Sequence, residues 1–253
     1  MIRTLIPLLL CASALCAQEW RILAIRVDFP FEETDESTTT GRGSFDLRSV
    51  EEAGAEYDLP YDLPPHDRTY FEHHLEALRR YYDVVSEGRV DIEYEVYPRG
   101  NEATYTLSES MLYYGNGRSG EEIGQRWVQL LRDALVLVQA DPEGPNLNEF
   151  NSFLIFHAGI GHETGALNDI RSVFLQPRDF DQYNGGALQI GEVQIDQAWI
   201  LPESPSMFGR GGLNGLMAKF FGHQLGLPGM SNFADGLPAG GGWSLMGVGA
   251  NAL

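Results

Sequence analysis

His223 is the residue from which a chemical reading of this chain starts. It lies in Ala218-Lys219-Phe220-Phe221-Gly222-His223-Gln224-Leu225-Gly226-Leu227-Pro228. Ahead of it Leu213, Leu216, Met217 and Phe220 recur at helical spacing. Asn214 can cap, and Gly226 followed by Pro228 supplies a stop, so the spacing predicts a helix over residues 216–225. A helix holds catalytic zinc when two histidines at i and i+4 share one face. A glutamate beside the first then takes a proton from the metal-bound water. Here the position four residues before His223 is Lys219 and the next is Phe220, so His223 stands alone on that face. Elsewhere only His157, His162 and Glu163 cluster in a way that could supply substitute ligands. His157 closes an apolar run, and a histidine at a strand end is more often held by backbone hydrogen bonds than by metal. His73 and His74 are adjacent and point in different directions from a helix, so they cannot both face one ion.

Two runs around this helix carry a family resemblance. Gly222-His223-Gln224-Leu225-Gly226-Leu227-Pro228, followed by Gly241-Gly242-Trp243-Ser244-Leu245-Met246, resembles the immune-inhibitor-A-like (M-six) family of secreted zinc metallopeptidases. The signature of that family is HExGHxLGLPD followed by a Trp-Ser-Leu-Met turn under the metal. The stretch Tyr81-Tyr82-Asp83-Val84-Val85-Ser86-Glu87-Gly88, running on to Tyr97-Pro98, and the turn Ala158-Gly159-Ile160-Gly161-His162-Glu163 are similar to the same family. The resemblance implies an α/β, zincin-like metallopeptidase domain with zinc as its cofactor. It places the first ligand on Lys219, the catalytic glutamate on Phe220, the second ligand on His223, the third on Gly229 and the methionine turn on Met246. Three of those positions lack the required chemistry. Phe220 accepts no proton, an ammonium at Lys219 repels a divalent cation, and one imidazole does not hold zinc. The resemblance therefore implies an inactive homologue that does not bind zinc and acts by binding a peptide or protein. The competing expectation is an active zinc endopeptidase with a displaced ligand set, His223 with His157 or His162.

The elements that must position this helix follow from hydropathy. Residues 20–29 and 90–97 alternate and predict strands, and 152–157 is a continuous apolar run expected of a strand buried on both faces. Short strands are expected at 172–175, 188–195 and 198–201. Thr69 with Glu72 reads as a capping box for a helix over 70–85, buried through Phe71, Leu75, Leu78 and Tyr82. Ser119 with Glu122 reads as another for a helix to about Ala140. Together these predict a twisted mixed sheet with helices packed on it. Residues 31–65 are acidic and aperiodic, an irregular insertion expected to be solvated. Asp46, Glu51, Glu52, Asp58 and Asp62 within it show no regular spacing for calcium.

Composition excludes several functions. The chain has 17 basic and 36 acidic residues, a formal charge of −19, which disfavours nucleic acid and anionic membranes as partners. Residues 1–17 carry Arg3, an apolar run from Leu5 to Ala12 and small residues near Ala17, the pattern of a signal peptide rather than a membrane span. Secreted or periplasmic localisation is expected, with residues 18–253 as the metallopeptidase-like domain. Both cysteines, Cys11 and Cys16, lie in that leader, so no disulfide is expected in the remainder. The chain ends seven residues after Met246, so the C-terminal subdomain implied by the resemblance is expected to be lacking.

Overall fold

A computed structural model describes residues 17–54, 62–163, 165–205, 212–230, 243–247 and 249–250. Residues 1–16 of the leader, Asp58 and residues 231–242 lie outside the described residues. The strands are β1 (Gln18–Asp28), β2 (Val90–Tyr97), β3 (Tyr105–Thr106), β4 (Ser152–Ile160), β5 (Val173–Leu175), β6 (Leu188–Ile190), β7 (Val193–Ile195) and β8 (Ala198–Ser204). The helices are α1 (Val50–Ala53), α2 (Arg68–Val85), α3 (Met111–Gly115), α4 (Gly120–Ala140), α5 (Pro177–Asn184) and α6 (Leu213–Gln224).

The main sheet runs β2-β1-β4-β8-β5, with β3 also paired to β1. All its pairings are parallel except the edge strand β5, which runs antiparallel to β8. This is the expected α/β class with a mixed sheet and packed helices. Every residue of β4 and β8 is buried, as the unbroken apolar run in β4 requires of a strand covered on both faces. The expected single strand over 188–195 is instead a hairpin, because Gly191 takes a positive φ of 57° and turns the chain back. Among the described residues no helix is long and apolar enough to cross a membrane.

Helix starts obey side-chain capping, with one revision. Ser119 accepts the Glu122 amide and starts α4 as expected. Helix α2 begins earlier than its expected Thr69–Glu72 box, because the Asp67 carboxylate accepts the Tyr70 amide and is the true cap. Tyr82, buried at the far end of α2, donates its hydroxyl to the Ala218 carbonyl of α6 at 2.7 Å and ties the two helices together.

The described part of the acidic insertion is less solvated than its composition suggests. Phe45, Ala53 and Asp62 are buried, and Asp46 pairs with Arg48 at 2.7 Å. The segment is held by a buried polar network centred on Glu203 in β8. One Glu203 oxygen accepts from the His66 Nδ1 and the Asp46 amide, and the other accepts from the Gly159 amide, all at 2.7–2.8 Å. His66 and Glu203 are 0% and 2% exposed. Asp62 accepts the Leu213 amide at 2.7 Å and lies 3.6 Å from His74, whose other ring nitrogen meets the Asn214 side chain at 2.8 Å. The expected cap Asn214 is thus diverted to His74, and Asp62 satisfies the first turn of α6 from across the chain. Burial pushes Asp62 up and His74 down, towards their neutral forms.

Burial alone would lower the His66 pKa, but the charge and hydrogen bond of Glu203 outweigh it, and the net direction is up. A raised histidine pKa stabilises the fold fully below the unfolded value of about 6.5 and loses that contribution as pH rises through the folded value. The stability advantage of the parent over His66→Gln in urea unfolding is therefore expected to narrow as pH rises from about 6 to about 9. An advantage that is constant or grows across that range refutes the charged pair.

Candidate functional site

Helix α6 is oriented by its inner face. Phe221 is fully buried, with ring centroids 4.7 Å from Tyr82, 5.4 Å from Trp20 and 5.8 Å from Trp199. Gln224 Oε1 accepts from the Ser152 hydroxyl at 2.9 Å and the Trp199 indole at 3.1 Å. Leu213 and Met217 complete the buried stripe. Leu216, expected within it, is only partly covered because Phe221 takes the inward position.

The end of α6 is a glycine stop of the expected kind. Gly226 takes φ 88°, its amide reaches the His223 carbonyl, and the Leu227 amide reaches the Gly222 carbonyl, both at 2.9 Å. These are the paired bonds of a Schellman motif. They bring the Leu227 carbonyl back over the helix, where it meets His223 Nδ1 at 3.0 Å. A carbonyl only accepts, so Nδ1 carries the hydrogen and Nε2 presents its lone pair. The imidazole also stacks on Phe174 of β5, at 6.2 Å and 11° between planes.

The four positions singled out by the resemblance come together with the methionine turn. Lys219 and His223 share the outer face of α6. A Cβ built on Gly229 would lie 3.7 Å from His223 Cε1, so that position abuts the imidazole. Phe220 is 9% exposed and packs against Phe174, filling space rather than presenting a base. Residues 244–247 form a turn closed by the Gly247 amide on the Ser244 carbonyl at 3.0 Å. Met246 is buried beneath α6, where a Cβ on Gly222 would come within 2.7 Å of its sulfur and 3.0 Å of the Tyr82 hydroxyl. Gly222 is the reason the turn can approach. Trp243, at 97% exposure, projects into solvent.

Lys219 bridges α6 and that turn. It is half-buried and donates from Nζ to the Gly247 carbonyl at 3.2 Å. Burial lowers its pKa, while His223 is lowered first by burial and also by the Lys219 charge.

The alternative ligands lie elsewhere in the hydrogen-bond pattern. His157 is fully buried with Nδ1 on the Ala158 carbonyl at 2.8 Å, and burial lowers its pKa to about 4. His162 Nε2 meets Arg171 at 3.0 Å, and Glu163 accepts the Ser172 amide at 2.9 Å. Among the described residues no group of three or more His, Cys, Asp and Glu side chains is placed to hold a metal. Sequence reasoning missed the His66–Glu203 network, for which no local spacing gives a signal. No family model matches the chain, and no curated protein matches it.

Gly222→Ala is expected to destabilise the protein by about 1–3 kcal/mol, because the new methyl overpacks against Met246 and Tyr82. Tyr82→Phe is expected to cost about 0.5–1.5 kcal/mol by removing its hydrogen bond to the Ala218 carbonyl. Urea denaturation measures both, and a Gly222→Ala protein as stable as the parent would show that the turn does not bear on the helix.

Proposed function

We propose that this chain is a secreted, zincin-like relative of the immune-inhibitor-A-like zinc metallopeptidases whose metal site has been replaced, and that it binds a peptide or protein segment without cutting it. One observation carries the reading: positions 219, 223 and 229 gather above the Met246 turn, yet the Lys219 ammonium rests on the Gly247 carbonyl at that place. The donor set does not fit zinc. One imidazole is present, a cation occupies the neighbouring helix position, and Phe220 offers neither ligand nor base. No hydrolytic step is therefore assigned to this chain. His157 Nδ1, His162 Nε2 and Glu163 Oε1 each meet other partners, and among the described residues no three donors converge, so the displaced-ligand alternative is not favoured.

Binding is supported by the lip beside α6. Strand β5 is the edge of the main sheet, paired only to β8 along the strand order, and Phe174 turns from it towards His223 and Phe220. An extended peptide can add to such an edge through backbone hydrogen bonds. The −19 charge of the chain favours a neutral or basic segment.

The purified protein, dialysed against a weak chelator, is expected to carry far less than stoichiometric zinc and to leave casein intact. Stoichiometric zinc that disappears in His223→Ala overturns the reading. The combined change Lys219→His, Phe220→Glu and Gly229→Asp is expected to recover tight zinc binding, measured by competition with a chromogenic chelator. A folded triple variant that binds zinc no better than the parent would show that these positions do not keep metal-site geometry.

A further inference from the structure

A cavity at the carboxyl end of β4 takes no part in that reading. It has a volume of about 680 Å³ and is bounded by the α3–α4 turn, the first turns of α4, the β4–β5 loop and α5. Cavities of this size suit small organic molecules, and the carboxyl ends of parallel strands are where open α/β sheets hold ligands. Ile123, Trp127 and Tyr183 provide its apolar surface, while Arg171 and His162 provide polar groups.

The walls are fixed by close backbone approach. A Cβ on Gly124 would fall 2.4 Å from the Tyr183 ring, and one on Gly117 would fall 2.6 Å from Ile123. A Cβ on Gly115 would collide with the Asn168 carbonyl oxygen at 1.9 Å. Tyr183 can lie against α4, and the β4–β5 loop can close on α3, only because side chains are missing at these points. The space is built by the fold rather than left by a loose surface.

The cavity offers a guanidinium that is not spent on a carboxylate. Arg21, Arg48, Arg68, Arg79, Arg80 and Arg126 each sit on a carboxylate. Arg171 is exposed and donates to His162 Nε2 at 3.0 Å, and among the described residues no carboxylate forms an ion pair with it. Because Arg171 can only donate, His162 Nε2 is the acceptor and Nδ1 is left as a further donor. Asp169 also lines the cavity, but it is 1% exposed and its oxygens already accept from the Thr40 amide and hydroxyl and the Ala166 amide.

We propose that this cavity binds a small organic anion, with its carboxylate on Arg171 and His162 and its planar apolar body against Trp127 and Tyr183. A chain of charge −19 repels anions at long range, so a local unpaired guanidinium is what such a site requires.

Benzoate and benzyl alcohol, the same ring with and without the charge, test this by amide NMR titration of the full chain. Benzoate is expected to shift residues 115–127 and 165–171 saturably and to bind roughly tenfold more tightly than benzyl alcohol. Arg171→Gln is expected to abolish that preference. Leu167→Asp, which sets a carboxylate at a cavity-lining position 75% exposed, is expected to weaken benzoate more than the alcohol. Arg178→Gln, at an exposed arginine outside the cavity lining, is expected to change neither. All three variant sites are on the surface, so the amide spectrum also confirms that the fold is kept. No saturable shift at those residues, equal affinity for the two probes, or undiminished benzoate binding in Arg171→Gln overturns the proposal.

Discussion

The placing of Phe221 governs the geometry of the candidate site. With 3.6 residues per turn, positions two residues before and after a buried one lie about 200° away around the helix. Docking Phe221 among Trp20, Tyr82 and Trp199 therefore turns Lys219 and His223 outward together. Gln224 adds a polar lock against rotation, since its one oxygen answers donors on both β4 and β8. A helix held only by aliphatic contacts could roll by part of a turn, whereas this one would orphan a buried hydroxyl and indole if it did. The hydrogen bond from Tyr82 fixes its distance from α2.

Backbone amides satisfy the carboxylates this chain buries. Glu203 accepts the Gly159 and Asp46 amides, Asp62 the Leu213 amide, and Asp169 the Thr40 and Ala166 amides. All of these bonds except that from Ala166 join segments distant in sequence, so electrostatic satisfaction also fixes topology. Arg26 is the mirror case, a fully buried guanidinium spent on the carbonyls of Asn101, Gly100 and Ala103. Burial lowers its pKa to about 10, which still leaves it charged at neutral pH. Removing one partner from such a set is costly because the other remains buried and unpaired.

What could be read from the sequence was local, and what could not was long-range. The strict alternation of β2 gave both its ends, and the apolar run of β4 gave its place at the centre. The box at Ser119 located α4 because cap and helix are neighbours in sequence. The cap of α6 was misassigned to Asn214 because the group that performs it, Asp62, lies 151 residues away. The acidic insertion was read as solvated for a related reason. Its buried Asp62 and the adjoining His66 follow no period, and their partners Leu213 and Glu203 belong to other elements. At the candidate site the converse holds, since the neighbourhood of positions 219 and 223 follows from helical spacing alone.

On the proposed reading, the residues that persist around α6 are those with a packing task beyond the metal. Gly222 admits Met246, Gly226 closes the helix, and His223 answers the Leu227 carbonyl and stacks on Phe174. Each of those contacts would be lost on substitution whether or not zinc were present. A glutamate at position 220 has no such second task, and phenylalanine there gains apolar contact with Phe174 instead. Lys219 meets the Gly247 carbonyl with a charge-assisted hydrogen bond, which offsets part of the desolvation of its half-buried ammonium. Packing therefore accounts for Gly222, His223, Gly226 and Phe220 without reference to any metal.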